Sequence, residues 1–90
     1  MYSIAFTNSF KKNYKLILKR GYNVELLIDI FKQLAVSGKA DIVNKPHKLH
    51  GKYSGFWECH IQPNWLLIWE IDEQKQIVTL HFTGTHSDLF

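Results

Sequence analysis

The feature that most constrains this chain is a change of hydrophobic period partway along it. From residue 10 through residue 37 apolar side chains recur at helical spacing; from residue 55 they recur every second residue. A chain written this way folds as helices packed on a sheet.

Tyr2-Ser-Ile-Ala-Phe6 alternates and predicts a short first strand. Thr7, Asn8 and Ser9 are all good N-caps, and a helix with Phe10, Tyr14, Ile17 and Leu18 on its apolar face should follow, ending at Gly21. Asn23 can cap a second helix with Val24, Leu27, Ile28, Phe31, Leu34 and Ala35 on one stripe, stopped by Ser37-Gly38. The short connection suggests an antiparallel helical hairpin. Residues 38–54 show no clear period and read as a long loop, a place where function tends to concentrate.

Gly55 to Ile61 reads as a strand, with Trp57, Cys59 and Ile61 facing one way and Phe56, Glu58 and His60 the other. After a turn at Pro63-Asn64, Trp65 to Ile71 is apolar on both faces, the pattern of a covered central strand. Asp72 to Lys75 makes a polar connection. The last strand, Gln76 to Thr83, sets Val78, Leu80 and Phe82 against Ile77, Thr79 and His81, and leaves a tail from Thr85 to Phe90. The order βααβββ predicts an α+β fold: one domain over residues 1–90, an antiparallel sheet with the helical hairpin packed on one face.

Ninety residues suffice for one compact core, and 46% apolar residues supply it. The single cysteine, Cys59, has no internal disulfide partner, and no apolar run approaches the ~18–20 residues of a membrane span. A cytoplasmic protein is the expectation. The net charge of +3 is a weak hint of an anionic partner, but its placement says more. Lys11, Lys12, Lys15, Lys19 and Arg20 crowd the first helix, and Lys45, Lys48 and Lys52 flank His47 and His50. The helix lysines are equally consistent with a solvated face.

All five histidines (47, 50, 60, 81 and 86) lie in the second half. Histidine is the side chain best suited to passing protons near neutral pH. Cleaving RNA without a metal needs a base for the 2′-hydroxyl, an acid for the leaving 5′-oxygen and a donor for the crowded phosphate. A lone strand histidine is more often structural, and His81 fits that reading, set opposite Phe82 by alternation. His60 ends a strand and His86 follows a glycine break, where side chains converge at a sheet edge. The spacing is not that of a structural zinc module. Cys59 and His60 are strand neighbours facing opposite ways, so they should not form a nucleophile pair. Lysines and aromatics interleaved from His47 to Trp65 suit phosphate contact with base stacking, although tryptophans more often serve a core.

Three segments carry a resemblance: His47-Lys-Leu-His-Gly51; Gly55-Phe-Trp-Glu-Cys-His-Ile-Gln-Pro-Asn-Trp-Leu-Leu-Ile-Trp69; and Thr83-Gly-Thr-His-Ser-Asp-Leu-Phe90. Together they closely resemble YafQ-type toxins of the RelE/ParE superfamily. Those show H-x-L-x-G, then a glycine-led segment with an acid two residues before a histidine and a Pro-Asp, then a terminal R-x-G-x-H-x-x-L-F. The resemblance implies a type II toxin that cuts mRNA on the 70S ribosome without metal or cofactor, leaving a 2′,3′-cyclic phosphate. It also implies an antitoxin partner of the DinJ-like, ribbon-helix-helix kind. The catalytic positions it implies are His60, His86, His47, Asn64 and Phe90. Trp65 falls beside the site as an RNA contact, with Lys48, Lys52, Lys11, Lys12 and Lys15 as further RNA-binding candidates.

Two positions depart from the pattern. Asn64 stands where the family has an acid; it cannot act as a base but can orient a neighbour. Phe82 stands where the terminal motif begins with arginine, and losing one such donor commonly costs ~10²–10³ in rate. Lys48 or Lys52 is the expected substitute. A weakened or inactive homologue that only binds antitoxin or ribosome is the alternative.

Overall fold

A computed structural model describes residues 1–90. The elements are β1 (Ser3–Phe6), α1 (Asn8–Lys19), α2 (Val24–Ser37), β2 (His47–Lys48), β3 (Trp57–Gln62), β4 (Trp65–Asp72), β5 (Ile77–Gly84) and α3 (His86–Leu89), with 3-10 turns at Ile42–Asn44 and Gly51–Tyr53. The helices start where the caps predict. The Thr7 hydroxyl accepts from the Phe10 amide at 3.0 Å, and Asn23 Oδ1 accepts from Glu25 at 3.1 Å. Gly38 ends α2 in the left-handed conformation, φ 72°, and a Cβ there would come within 2.6 Å of the Tyr2 ring.

One five-stranded sheet runs in the order β1-β5-β4-β3-β2, so β4, with its apolar run Trp65 to Trp69, lies at its centre. Trp65 to Trp69 are all buried, as a strand covered on both faces requires. The α+β order holds, but the sheet is mixed rather than antiparallel throughout. β1 pairs parallel to β5, Ser3 opposite Ile77 through Phe6 opposite Leu80. Between β1 and β5 in sequence come both helices and the rest of the sheet, so strand direction here is set by topology and not by any local pattern.

The core gathers Phe10 and Ile17 of α1, Leu27, Ile30 and Leu34 of α2, and the inward residues of β3, β4 and β5. Leu18, expected on the apolar face of α1, is 48% exposed, whereas Ile30, outside the expected stripe of α2, is buried. The two helices meet through Phe10 and Phe31, ring centroids 6.1 Å apart. No helix is long and apolar enough to cross a membrane. Trp69 Nε1 is the one buried side-chain polar atom without a hydrogen-bond partner.

Two bulges break the alternation on which the face assignments rest. On β5, Phe82 opposes Ile68 and Leu80 opposes Trp69, which leaves His81 as the extra residue. Leu80 stays in the core, while Phe82 turns to the opposite face with His81, their rings 6.1 Å apart. The expectation that His81 faces away from Phe82 is thereby overturned. On β3 the register slips between His60 and Gln62.

Candidate active site

Loop, sheet edge and C-terminal helix each deliver one histidine to the outer face of the sheet. The segment expected as loop contains β2, and its pairing sets His47 opposite Glu58. His60 comes from β3. His86 opens α3, which replaces the expected tail; the Thr85 side chain accepts from the Asp88 amide and Asp88 bonds back to the Thr85 amide. The three rings form a row, with centroids 6.4 Å apart for His47–His60 and 6.1 Å for His60–His86. Phe90 continues it, 6.4 Å beyond His86 and 62% exposed.

Hydrogen bonding distinguishes the three rings. His60 Nδ1 faces the Pro63 carbonyl at 3.3 Å, and His86 Nδ1 faces Asn64 Oδ1 at 3.1 Å. Both partner oxygens only accept, so in each ring Nδ1 carries the hydrogen and Nε2 is left free to take or give a proton. His47 differs. Its Nδ1 donates to the Lys45 carbonyl at 3.0 Å and its Nε2 lies 3.2 Å from Glu58 Oε1, so neither nitrogen is free. Glu58 is 5% exposed, and a buried carboxylate requires such a partner.

His81 and His50 stand outside the row. His81 Nε2 lies 2.9 Å from Glu70 Oε1, and its ring stacks on Phe56 at 4.6 Å, which agrees with a structural role. His50 is exposed and makes no side-chain cap bond. Cys59 is fully buried, and burial, with the nearby Glu58 carboxylate, pushes its thiol up to about 12. It stays protonated and is no nucleophile.

The expected RNA contacts fare unevenly. Trp65 is 1% exposed, with its Nε1 donating to Thr83 Oγ1 at 2.9 Å, so it belongs to the core and presents no face to a base. Lys48 lies over the Trp57 ring at 5.6 Å, in a cleft with Tyr2 and Trp69, because alternation turns it away from His47. Lys52 lies over Tyr53 at 5.6 Å. Lys11 and Lys15 are exposed on α1, with no hydrogen bond or ion pair to the row. Lys12 is better placed: it shares a cleft of about 250 Å³ with Tyr53, Phe82 and Asp88.

Three residues of the site are not among those expected from the sequence. Tyr53 is the hub of an aromatic cluster, its ring 5.5 Å from Phe90, 6.3 Å from Phe56 and 6.5 Å from Phe82. Glu58 shares a strand face with His60, two residues away, and matches the acid that precedes the histidine in the motif; those are the hints of its role. Arg20 grips Asp88 through its two terminal guanidinium nitrogens, at 2.7 and 3.0 Å, and so ties α3 to the end of α1.

A helical pair on a mixed sheet, with histidines from three separate segments drawn along its outer face, defines a small toxin domain of the RelE-like fold. The model of the family described as "Bacterial toxin of type II toxin-antitoxin system, YafQ" matches residues 2–90, and the chain belongs to that family. It is similar to the mRNA interferase toxin YafQ of Escherichia coli K12, 28% identical over 97% of this chain and 94% of that protein. Among solved structures it resembles a metal-bound toxin from Helicobacter pylori, with 33% identity, full coverage of both chains and a TM-score of 0.91. It also resembles the E. coli DinJ-YafQ toxin–antitoxin complex, with 28% identity, 99% of this chain and 97% of that chain covered, and a TM-score of 0.88. In this chain no three His, Cys, Asp or Glu side chains are arranged to hold one metal ion.

Proposed function

We propose that this chain is an endoribonuclease that cuts mRNA on the ribosome and stops translation. The observation that carries this reading is the pair His60 and His86, rings 6.1 Å apart, each with Nδ1 anchored and Nε2 free. A phosphate held between them meets both groups that 2′-hydroxyl attack requires. One imidazole takes the 2′-hydroxyl proton as the 2′-oxygen bonds to phosphorus. The other gives its proton to the 5′-oxygen as the P–O5′ bond breaks. The products are a 2′,3′-cyclic phosphate and a 5′-hydroxyl. His47, held by Glu58 and the Lys45 carbonyl, packs its ring in the row beside His60, and Phe90 offers an exposed ring against which a base can stack. Lys12, in the cleft beside Phe82, supplies positive charge where the family motif carries arginine.

The names of the relatives support both halves of this reading: an mRNA interferase for the reaction and a DinJ complex for the partner. The partner proposed for this chain is an antitoxin of that ribbon-helix-helix kind. Cleavage mapping in a translating extract tests the reaction. Cuts within translated codons are expected from the wild type, and His86→Ala should lower them by ~10²–10⁴. Unchanged cutting by His86→Ala would overturn the assignment. Growth arrest that persists in His60→Ala/His86→Ala without any cutting would favour a module that only binds the ribosome, the reading that Phe82 in place of arginine makes worth separating.

A further inference from the structure

The turn Ile42–Asn44 is fastened along its whole length. The Asp41 amide donates to Gln33 Oε1 of α2 at 2.7 Å, and Asp41 Oδ1 accepts from the Val43 amide at 3.0 Å. Asn44 Nδ2 then donates to the His60 carbonyl at 2.9 Å. Lys45 leaves the turn with φ 53°, a left-handed value that costs a lysine strain, and its carbonyl accepts from His47 Nδ1. A segment held this firmly nonetheless points two β-branched side chains at water: Ile42 is 88% exposed and Val43 76%. Val36, at the end of α2, is 65% exposed.

Charge surrounds this apolar strip. Lys32 and Lys39 line a cleft with Val36, and Lys45 lines another, of about 350 Å³, with Val43, His60 and Pro63. Asp41 is the acid within the first cleft, and one of its oxygens is spent on the Val43 amide. The strip has no aromatic ring on which a base could stack, which single-stranded RNA would want. Aliphatic side chains framed by lysines match instead an amphipathic protein segment with apolar residues on one face and carboxylates beside them.

We propose that Val36, Ile42 and Val43, ringed by Lys32, Lys39 and Lys45, dock an acidic amphipathic segment of the antitoxin, and that this segment closes the cleft between Val43 and His60. This rests on the toxin–antitoxin reading above. The turn is also the part of the fold that holds His60 through its carbonyl and His47 through Nδ1. A partner seated on it therefore covers one catalytic histidine and bears on the anchor of its neighbour.

The probe is the purified product of the reading frame adjoining this chain's gene, with binding measured by calorimetry at low and high salt. Ile42→Asp/Val43→Asp should weaken binding by about tenfold or more, as loss of a buried apolar anchor does. Lys32→Glu/Lys39→Glu, which leaves the turn untouched, should weaken it at low salt and flatten its salt dependence. Both variants should retain mRNA cutting in the absence of the partner. Equal binding by wild type and both variants overturns the docking surface and leaves the toxin reading intact. No binding by wild type overturns both. If Ile42→Asp/Val43→Asp keeps its fold and its partner but loses ribosome association, the strip serves the ribosome and the proposal fails. Should that variant not fold, the lysine pair decides.

Discussion

One oxygen of Asn64 holds His86 twice: Oδ1 accepts from the His86 backbone amide at 3.3 Å and from its Nδ1 at 3.1 Å. The second contact fixes the tautomer and turns Nε2 outward. Asn64→Ala should therefore lower cleavage by roughly 10²-fold through loss of ring orientation, with little effect on binding of the antitoxin. Asn64→Asp keeps the acceptor and adds a charge that favours the imidazolium, so it should cut at least as fast as wild type. A slower Asn64→Asp enzyme would show that the side chain acts by something other than its acceptor oxygen.

Phe82 and Lys12 share one cleft, the aromatic ring occupying the position that carries arginine in the family motif. If Lys12 supplies the missing charge, Lys12→Ala should slow cleavage, by at most the ~10²–10³ typical of losing one donor to a reacting oxyanion. Phe82→Arg should raise the wild-type rate and make Lys12→Ala nearly silent. Independent effects of the two substitutions, multiplying in the double variant, would dissociate Lys12 from the phosphate.

Local physics made part of this molecule legible in its sequence. The caps at Thr7 and Asn23, the left-handed stop at Gly38 and the apolar run of β4 each follow from a few adjacent residues, and all appear where expected. His60 and His86 are paired by a strand end and a glycine break, but His47 joins them only through motif resemblance, because nothing local says that the loop converges on the same edge. The bulge at His81 was not legible: an extra residue leaves an alternating pattern looking alternating, yet it moved Phe82 to the other face. The direction of β1 and the burial of Trp65 were likewise settled by distant partners, Ile77 through Leu80 for the first and Thr83 for the second.

Arg20 and Asp88 give the site a pH dependence with a definite sign. The Arg20 guanidinium, then the Thr85 amide, hold the Asp88 carboxyl well below its usual range. A depressed value means that the contribution to α3 is complete above the unfolded value near ~3.9 and is lost as pH falls through the lower folded one. Amide exchange of residues 86–90 should stay slow down to about pH 4 and accelerate below it, ahead of the β4 and β5 amides. Asp88→Asn should remove this step and lower cleavage at neutral pH, since α3 carries both His86 and Phe90. Unaltered exchange in Asp88→Asn would mean that packing alone orders α3. Gly84 belongs to the same device: a Cβ there would meet Asp88 Oδ2 at 2.9 Å, so Gly84→Ala should mimic the loss of the pair.

Trp65 and Thr83 offer the most direct test of whether the tryptophan belongs to the core or to the RNA surface. The indole Nε1 donates to the Thr83 hydroxyl at 2.9 Å, and that hydroxyl donates in turn to the Leu66 carbonyl at 2.8 Å, all of it buried. Thr83→Val keeps the volume but strands the indole N–H, at a cost of about 1–3 kcal/mol. For a domain of this size each kcal/mol lowers Tm by roughly 4–8 °C, which a thermal melt resolves. Trp65→Phe removes the donor instead, and once it is gone Thr83→Val should cost less than it does alone. In a protein where Trp65 touches only its neighbours, Trp65→Phe should cut mRNA normally at temperatures where it is folded. Lost cleavage in a fully folded Trp65→Phe would return the residue to the RNA interface and show that the 1% exposure of its side chain is not maintained in the working enzyme.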